Sequence, residues 1–80
     1  MYDERKLDDV VLALLHLNAF KDRFGWRAWK GFDWGALDRL HERGLIGDPR
    51  SKARSVPLTD EGAAMAEELF QHHFGLSSDG

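Results

Sequence analysis

The chain has no cysteine, only two prolines and no apolar run of the length that spans a bilayer. Without cysteine there is no disulfide framework and no thiolate metal cluster. The longest apolar stretch falls short of the roughly 20 residues of a membrane helix, and no basic leader precedes it. Internal repeats, low-complexity segments and linkers are lacking too. We therefore predict one cytoplasmic domain over residues 1–76, with no membrane contact.

Groups that could form a catalytic or metal centre are scattered. His72 and His73 are neighbours, and on a helix their side chains diverge by about 100°. Neighbouring carboxylates at 8–9 and 67–68 do not converge by helical spacing either. A hydrolytic centre needs a nucleophile, a base and an orienting group within reach, and no phosphate-binding glycine loop is present. The sequence therefore predicts no enzyme, no metal site and no cofactor.

A helix over residues 34–43 is marked at both ends. Asp33 is a good N-cap, because its carboxylate can accept hydrogen bonds from the free amides of the first turn. Gly44 can adopt the left-handed conformation that ends a helix. One face of this helix is apolar, and the outward face is charged and includes Arg39 and Arg43.

A two-stranded wing is predicted to follow. Leu45 and Ile46 begin a short apolar strand, which the turn residues at 47–49 end. The returning arm, from about 54 to 58, has apolar side chains at period two. Pro57 lacks an amide donor and therefore suits an edge strand.

Three cations lie two residues apart in and before this returning arm. If the arm is extended, their side chains project from the same face. The sequence therefore predicts a basic ladder made of Arg50, Lys52 and Arg54.

The last helix begins after Thr59, an N-cap followed by the acidic residues Asp60 and Glu61. Its apolar stripe runs to Phe74, and Gly75 is the predicted stop. Residues 77–80 are small and polar, so we predict a disordered tail.

The first helix begins after an Asp3 cap and is apolar nearly all round. A helix of this kind is normally buried, and a chain of 80 residues has few elements to cover it. We therefore predict a symmetric homodimer through this helix. The alternative is that the last helix and the aromatic segment cover it within one chain. The predicted dimer interface comprises Leu7, Val11, Leu12, Leu15 and Ala19.

The segment over residues 20–32 interleaves aromatic and basic side chains. One interpretation is a stacking platform for single-stranded nucleic acid, in which rings hold bases and cations follow the backbone. The other is that the aromatic side chains fill the corner of a small core. A short second helix around residues 26–30, stopped by Gly31, fits the second interpretation.

The pattern Leu37-x-x-Leu40-x-x-x-Gly44-Leu45-Ile46, then Asp48-Pro49-Arg50, then Val56-x-Leu58-Thr59-x-x-Gly62, resembles the recognition helix, wing and following helix of MarR-type winged-helix regulators. That resemblance covers about a third of the chain. It implies that Asp48, Arg50 and Arg54 in the wing help to place basic side chains on DNA. Taken over its whole length, the chain also resembles a family of short bacterial proteins with no assigned function.

The predicted fold is mainly α with a small β-hairpin. It is winged-helix-like: a long first helix, a short second helix, a third helix, a two-stranded wing and a C-terminal helix. The net charge is −3, but residues 21–54 hold nine of the eleven Lys and Arg against five acids. A basic middle of +4 therefore lies between flanks that together carry −7.

Two functions from different classes fit these observations. The first is a dimeric DNA-binding regulator, with Arg39 and Arg43 at the major groove and the basic ladder on the backbone or minor groove of double-stranded DNA. The second is a protein-interaction or dimerisation module on a winged-helix scaffold without DNA binding. Exposed tryptophans favour the second function, because exposed apolar patches mark interaction sites.

Overall fold

The computed structural model describes residues 1–76, which form three helices and a three-stranded antiparallel sheet. The elements in chain order are α1 (Glu4–Leu17), β1 (Ala19–Asp22), β2 (Gly25–Trp29), α2 (Trp34–Glu42), β3 (Ser55–Pro57) and α3 (Asp60–Phe74). The strand order in the sheet is β1-β2-β3. Within these 76 residues, each helix is too short or too polar to cross a bilayer. The predicted tail at 77–80 lies outside the described residues.

The helix boundaries follow the capping residues that the sequence predicted. The carboxylates of Asp3 and Asp33 accept from backbone amides in the first turns of α1 and α2, and the Thr59 hydroxyl accepts from the Gly62 amide at 2.9 Å. Gly44 has a φ of +74°, and the Leu45 amide donates to the Leu40 carbonyl at 3.1 Å. This is the hydrogen bond of a Schellman motif, so α2 ends as predicted.

The segment after α1 is a β-hairpin, so the predicted short helix around residues 26–30 is wrong. Asp22 pairs with Gly25 at the end of the hairpin, and the Asp22 carboxylate accepts from the Phe24 amide at 2.8 Å. Gly25 has a φ of +131°, which a side chain would disfavour. The turn residues therefore outweigh the helix-like spacing of the aromatic side chains.

The predicted two-stranded wing is also replaced, because the returning strand pairs with β2. Val56 of β3 lies opposite Ala28, whereas the predicted first wing strand contributes one bridge, between Ile46 and Leu58. β2 has five residues with which β3 can pair, whereas the predicted first wing strand has only Leu45 and Ile46. The sheet therefore has three strands, and the finer winged-helix arrangement stays a prediction.

The loop between α2 and β3 consists of turns and bends rather than an extended arm over residues 50–54. Alternation of side chains requires an extended strand. The predicted single-faced ladder of Arg50, Lys52 and Arg54 is therefore not formed by strand geometry.

The core lies between the three helices and the inner side of the sheet. Val11, Leu12 and Leu15 of α1 have 4%, 0% and 0% of their surface exposed within one chain. These side chains therefore have almost no area left to bury against a second copy. Leu7 and Ala19 are half-buried and pack against the same core. The homodimer stays a prediction, but it needs surfaces other than the centre of the predicted interface.

Candidate binding surface on the sheet

The side of the sheet that faces away from the helices carries an aromatic pair. Side chains alternate along a strand, so the burial of Ala28 in the core places Arg27 and Trp29 on the opposite side. Phe20 lies opposite Arg27 in the hairpin, and its ring centroid is 4.9 Å from that of Trp29. We call this side the outer face; it comprises Phe20, Asp22, Arg27, Trp29, Ser55 and Pro57.

Arg27 is fixed in the middle of the outer face. Its Nε donates to Ser55 Oγ at 2.8 Å, and its Nη2 donates to the Ser55 carbonyl at 3.0 Å. Phe20 and Pro57 are its neighbours on the two adjacent strands. A guanidinium held by two hydrogen bonds keeps a positive charge beside the aromatic pair at little further cost in side-chain entropy.

A second aromatic position lies at the start of α2. Trp34 is 50% exposed, and the cations of Lys30 and Arg50 lie 5.7 Å and 5.0 Å from its ring centroid. These distances are within the range of cation–π attraction. Lys30 also donates to the carbonyls of Pro49 and Ser51, so it ties the loop before β3 to the sheet.

The aromatic segment is therefore a surface feature, and the interpretation that it fills the core is wrong for its tryptophans. Trp26 and Trp29 are 44% and 54% exposed, and Phe24 in the hairpin turn is 88% exposed. In a strand, positions 26 and 29 face opposite sides, whereas helical spacing would have placed them together. The Asp22 to Gly25 turn was the signal that could have revealed this arrangement.

Arg39, predicted to contact the major groove, is paired within the chain. Its Nε and Nη2 lie 2.7 Å and 2.8 Å from the two carboxylate oxygens of Asp8, and its Nη1 lies 3.2 Å from Glu4. Asp8 is only 3% exposed. The hydrogen bond to Asp8 raises the pKa of Arg39 above its ordinary range. This bidentate pair fastens α2 to α1.

Arg43 also turns toward α1. Its Nη1 lies 3.7 Å from an Asp9 carboxylate oxygen, which is an ion-pair distance but too long for a hydrogen bond. Its Nη2 lies 3.8 Å from the sulfur of Met65. The two arginines predicted to read DNA thus both take part in contacts between helices.

Arg50 is paired as well, with Asp38 on the outward side of α2. Its Nη2 and Nε lie 2.6 Å and 3.3 Å from the Asp38 carboxylate. Lys52 and Arg54 are exposed, and within the described part of the chain neither forms an ion pair. Of the five predicted nucleic-acid contacts, these two present their charge to solvent without a partner among residues 1–76.

The described residues contain no group of three His, Asp or Glu side chains placed to hold a metal ion.

Comparison with protein families gives a match over residues 3–76 to a domain of unknown function (DUF6429). The chain belongs to this family. A relative from Sinorhizobium fredii (strain NBRC 101917 / NGR234), "Uncharacterized protein y4hR", is 58% identical over 72 residues, covering 90% of this chain and 93% of the relative. No solved structure matches the chain significantly.

These comparisons confirm that the chain is one of a family of unknown function with a bacterial relative. They identify no activity, partner or site residue.

The Arg50–Asp38 pair gives one testable pH dependence. The hydrogen bond from Arg50 lowers the pKa of the Asp38 carboxyl below its ordinary 3.8. The pair therefore stabilises the fold fully above pH 3.8, and this contribution is lost as the pH falls through the lowered value. We expect Asp38→Asn to lower Tm slightly near neutral pH, and the difference from the parent protein to vanish in acid.

Thermal unfolding followed by circular dichroism at several pH values measures this difference. Because the pair is exposed, added salt should shrink it near neutral pH. Glu68→Gln serves as the control, since Glu68 is exposed and forms no ion pair within residues 1–76. A Tm difference for Asp38→Asn that persists in acid would contradict the assignment to the ion pair.

Proposed function

We propose that this protein binds single-stranded nucleic acid through the outer face of its sheet. The observation that carries the proposal is the half-exposed Trp29 packed beside Phe20, with the Arg27 guanidinium fixed on the same face. A nucleobase gains stacking energy on an exposed indole whatever its identity, and nearby cations attract the phosphates.

The charge around the outer face favours a polyanionic partner. Residues 21–54, which include β2, α2 and the loop before β3, carry +4 within a chain of net charge −3. Arg39 and Arg43 in this segment are paired with Asp8 and Asp9 of α1, which leaves an excess of +2. Lys52 and Arg54, in the loop that leads into β3, are exposed and form no ion pair within residues 1–76, so their charges are free to attract phosphates. Protein interfaces are poor in lysine at their centres, whereas channels for single strands combine cations with aromatic rings.

Reading of double-stranded DNA by α2 is the weaker alternative. A contact from Arg39 to a base would have to break its two short hydrogen bonds to the buried Asp8 carboxylate. A buried carboxylate left without its partner is costly. The outward side of α2 also presents Glu42, an exposed carboxylate that forms no ion pair within residues 1–76 and would repel phosphate. A dimeric regulator that reads a duplex therefore stays a prediction from sequence.

The central test is binding of fluorescein-labelled random single-stranded and double-stranded DNA, measured by fluorescence anisotropy over a salt series. We expect the single strand to bind more tightly than the duplex. A plot of the logarithm of its association constant against the logarithm of salt concentration should have a slope of about −0.7 per phosphate contact. Trp29→Ala should weaken single-strand binding by about tenfold or more, because it removes one stacking position.

Trp26→Ala is the matched control. Trp26 has a similar exposure, on the same strand, but lies on the opposite side of the sheet. Circular dichroism of both variants checks that the fold is retained. The proposal would be refuted if the Trp29→Ala variant and the parent protein bound single-stranded DNA with equal affinity. It would also be refuted if that affinity did not change with salt concentration.

A protein-interaction module is the second candidate, and the three half-exposed tryptophans favour it. It differs from the first candidate in its response to salt, because an apolar protein interface gains little from counterion release. Absence of any salt-dependent DNA binding, together with strong quenching of all three tryptophans by acrylamide, would favour this second candidate.

A further inference from the structure

A groove of 350 Å³ lies on the inner side of the sheet, away from the outer face. It is lined by His16 at the end of α1, Ala19 of β1, Trp26 of β2, Leu58 after β3, and Ala63, Ala64 and Glu67 of α3. Its volume falls near the lower end of the roughly 300–1,000 Å³ that small-molecule sites occupy. The groove thus has the size of a site for a small ligand.

Small side chains keep this groove open. Alanine occupies three of the seven lining positions, on both the sheet side and the α3 side. The lining residue His16 packs on Phe70, with ring centroids 5.2 Å apart, and this contact holds the His16 ring in place. Larger residues at 63 or 64 would fill the space that the alanines leave.

The chemistry of the lining favours a cation. Trp26 presents part of an indole, the aromatic side chain that attracts cations most strongly. Among residues 1–76, Glu67 is the one carboxylate in the lining, and no Lys or Arg lines the groove. The other ionisable lining group among residues 1–76 is His16, whose ring packs on Phe70.

We propose that this groove binds a small organic cation, an ammonium group with a short apolar body. The ammonium lies against the Trp26 ring beside the Glu67 carboxylate, and the alkyl part lies on the alanines and Leu58. Lys21 is opposite Trp26 in the hairpin, on the same side of the sheet but outside the lining. The positive charge of Lys21 repels a cationic ligand and therefore lowers its affinity.

The test compares choline with its neutral isostere 3,3-dimethylbutan-1-ol in a two-dimensional NMR titration of the full chain. Choline should shift the Trp26 indole and the amides of Ala63 and Ala64 in a saturable way, while the Trp29 indole on the outer face stays in place. The neutral isostere should bind at least about tenfold more weakly, because it lacks the charge for both the ring and the carboxylate.

Substitutions on α3 provide matched variants. Glu67→Gln should weaken choline binding several-fold, whereas Glu68→Gln, the exposed neighbour outside the groove, should not. Ala64→Leu should abolish binding by filling the groove, and Lys21→Gln should strengthen it. Equal binding of choline and the alcohol, equal binding by Glu67→Gln and the parent, or no saturable shift with choline would each overturn the proposal.

Discussion

Gly62→Ala is expected to destabilise the protein by at least about 3 kcal/mol, a large part of the total for a small domain. A methyl group at this position would lie 1.7 Å from the carbonyl oxygen of Leu45 and 2.7 Å from its carbonyl carbon. That carbonyl is held in place, because it accepts from the Thr59 amide at 3.1 Å. The single proton of the Thr59 hydroxyl is shared between this carbonyl, at 3.1 Å, and the Gly44 carbonyl, at 2.8 Å. The first turn of α3 would have to move away from the end of α2.

Urea unfolding followed by circular dichroism measures this loss. Gly31→Ala is the matched control, since no atom lies within 4 Å of its added methyl group. We expect that substitution to leave stability unchanged or to raise it slightly by restricting the unfolded chain. A Gly62→Ala variant as stable as the parent would show that α3 and the Leu45 carbonyl are not in this close contact.

The helix ends could be predicted from sequence because their causes are local. A cap needs a side chain two or three residues from the amide it accepts, as with Asp33 and Ala36. The stop at Gly44 needs only its own left-handed backbone and the residue after it. These interactions do not depend on the rest of the fold.

The hairpin of β1 and β2 was missed because two patterns overlap in the same residues. Trp26 and Trp29 are three apart, a spacing typical of one helix face, while their strand conformation puts them on opposite sides of the sheet. The Asp22 to Gly25 turn favours a strand on each side of it, and pairing of β2 with β1 and β3 then fixes that conformation. That pairing is tertiary context, which routinely outweighs local preference.

The outer face and the pairing of the arginines were beyond sequence reasoning for a related reason. Arg39 and Asp8 lie 31 residues apart, and nothing in their local sequence assigns one to the other. Counting charges along the chain gave the basic middle correctly, but it could not show which cations are already neutralised. Only the fold separates Arg39 and Arg50, which are paired, from Lys52 and Arg54, which face solvent.

Leu12→Ala is expected to lower the free energy of unfolding by about 3 kcal/mol, within the range of about 2–5 kcal/mol for such changes. Leu12 is 0% exposed at the centre of α1, so the substitution removes buried apolar surface and leaves a cavity. Leu17→Ala, on the same helix but 63% exposed, should change stability by less than about 0.5 kcal/mol.

The same variants also test the predicted homodimer. If the protein is a monomer, the urea midpoints of parent and variant each stay the same when protein concentration changes about a hundredfold. A dimer whose interface contributes to folding gives midpoints that rise with concentration, because association stabilises the folded state by mass action. If the urea midpoint depends on protein concentration in the parent but not in the Leu12→Ala variant, Leu12 contributes to a dimer interface. A loss of about 3 kcal/mol at every concentration would place it in the core of a single chain.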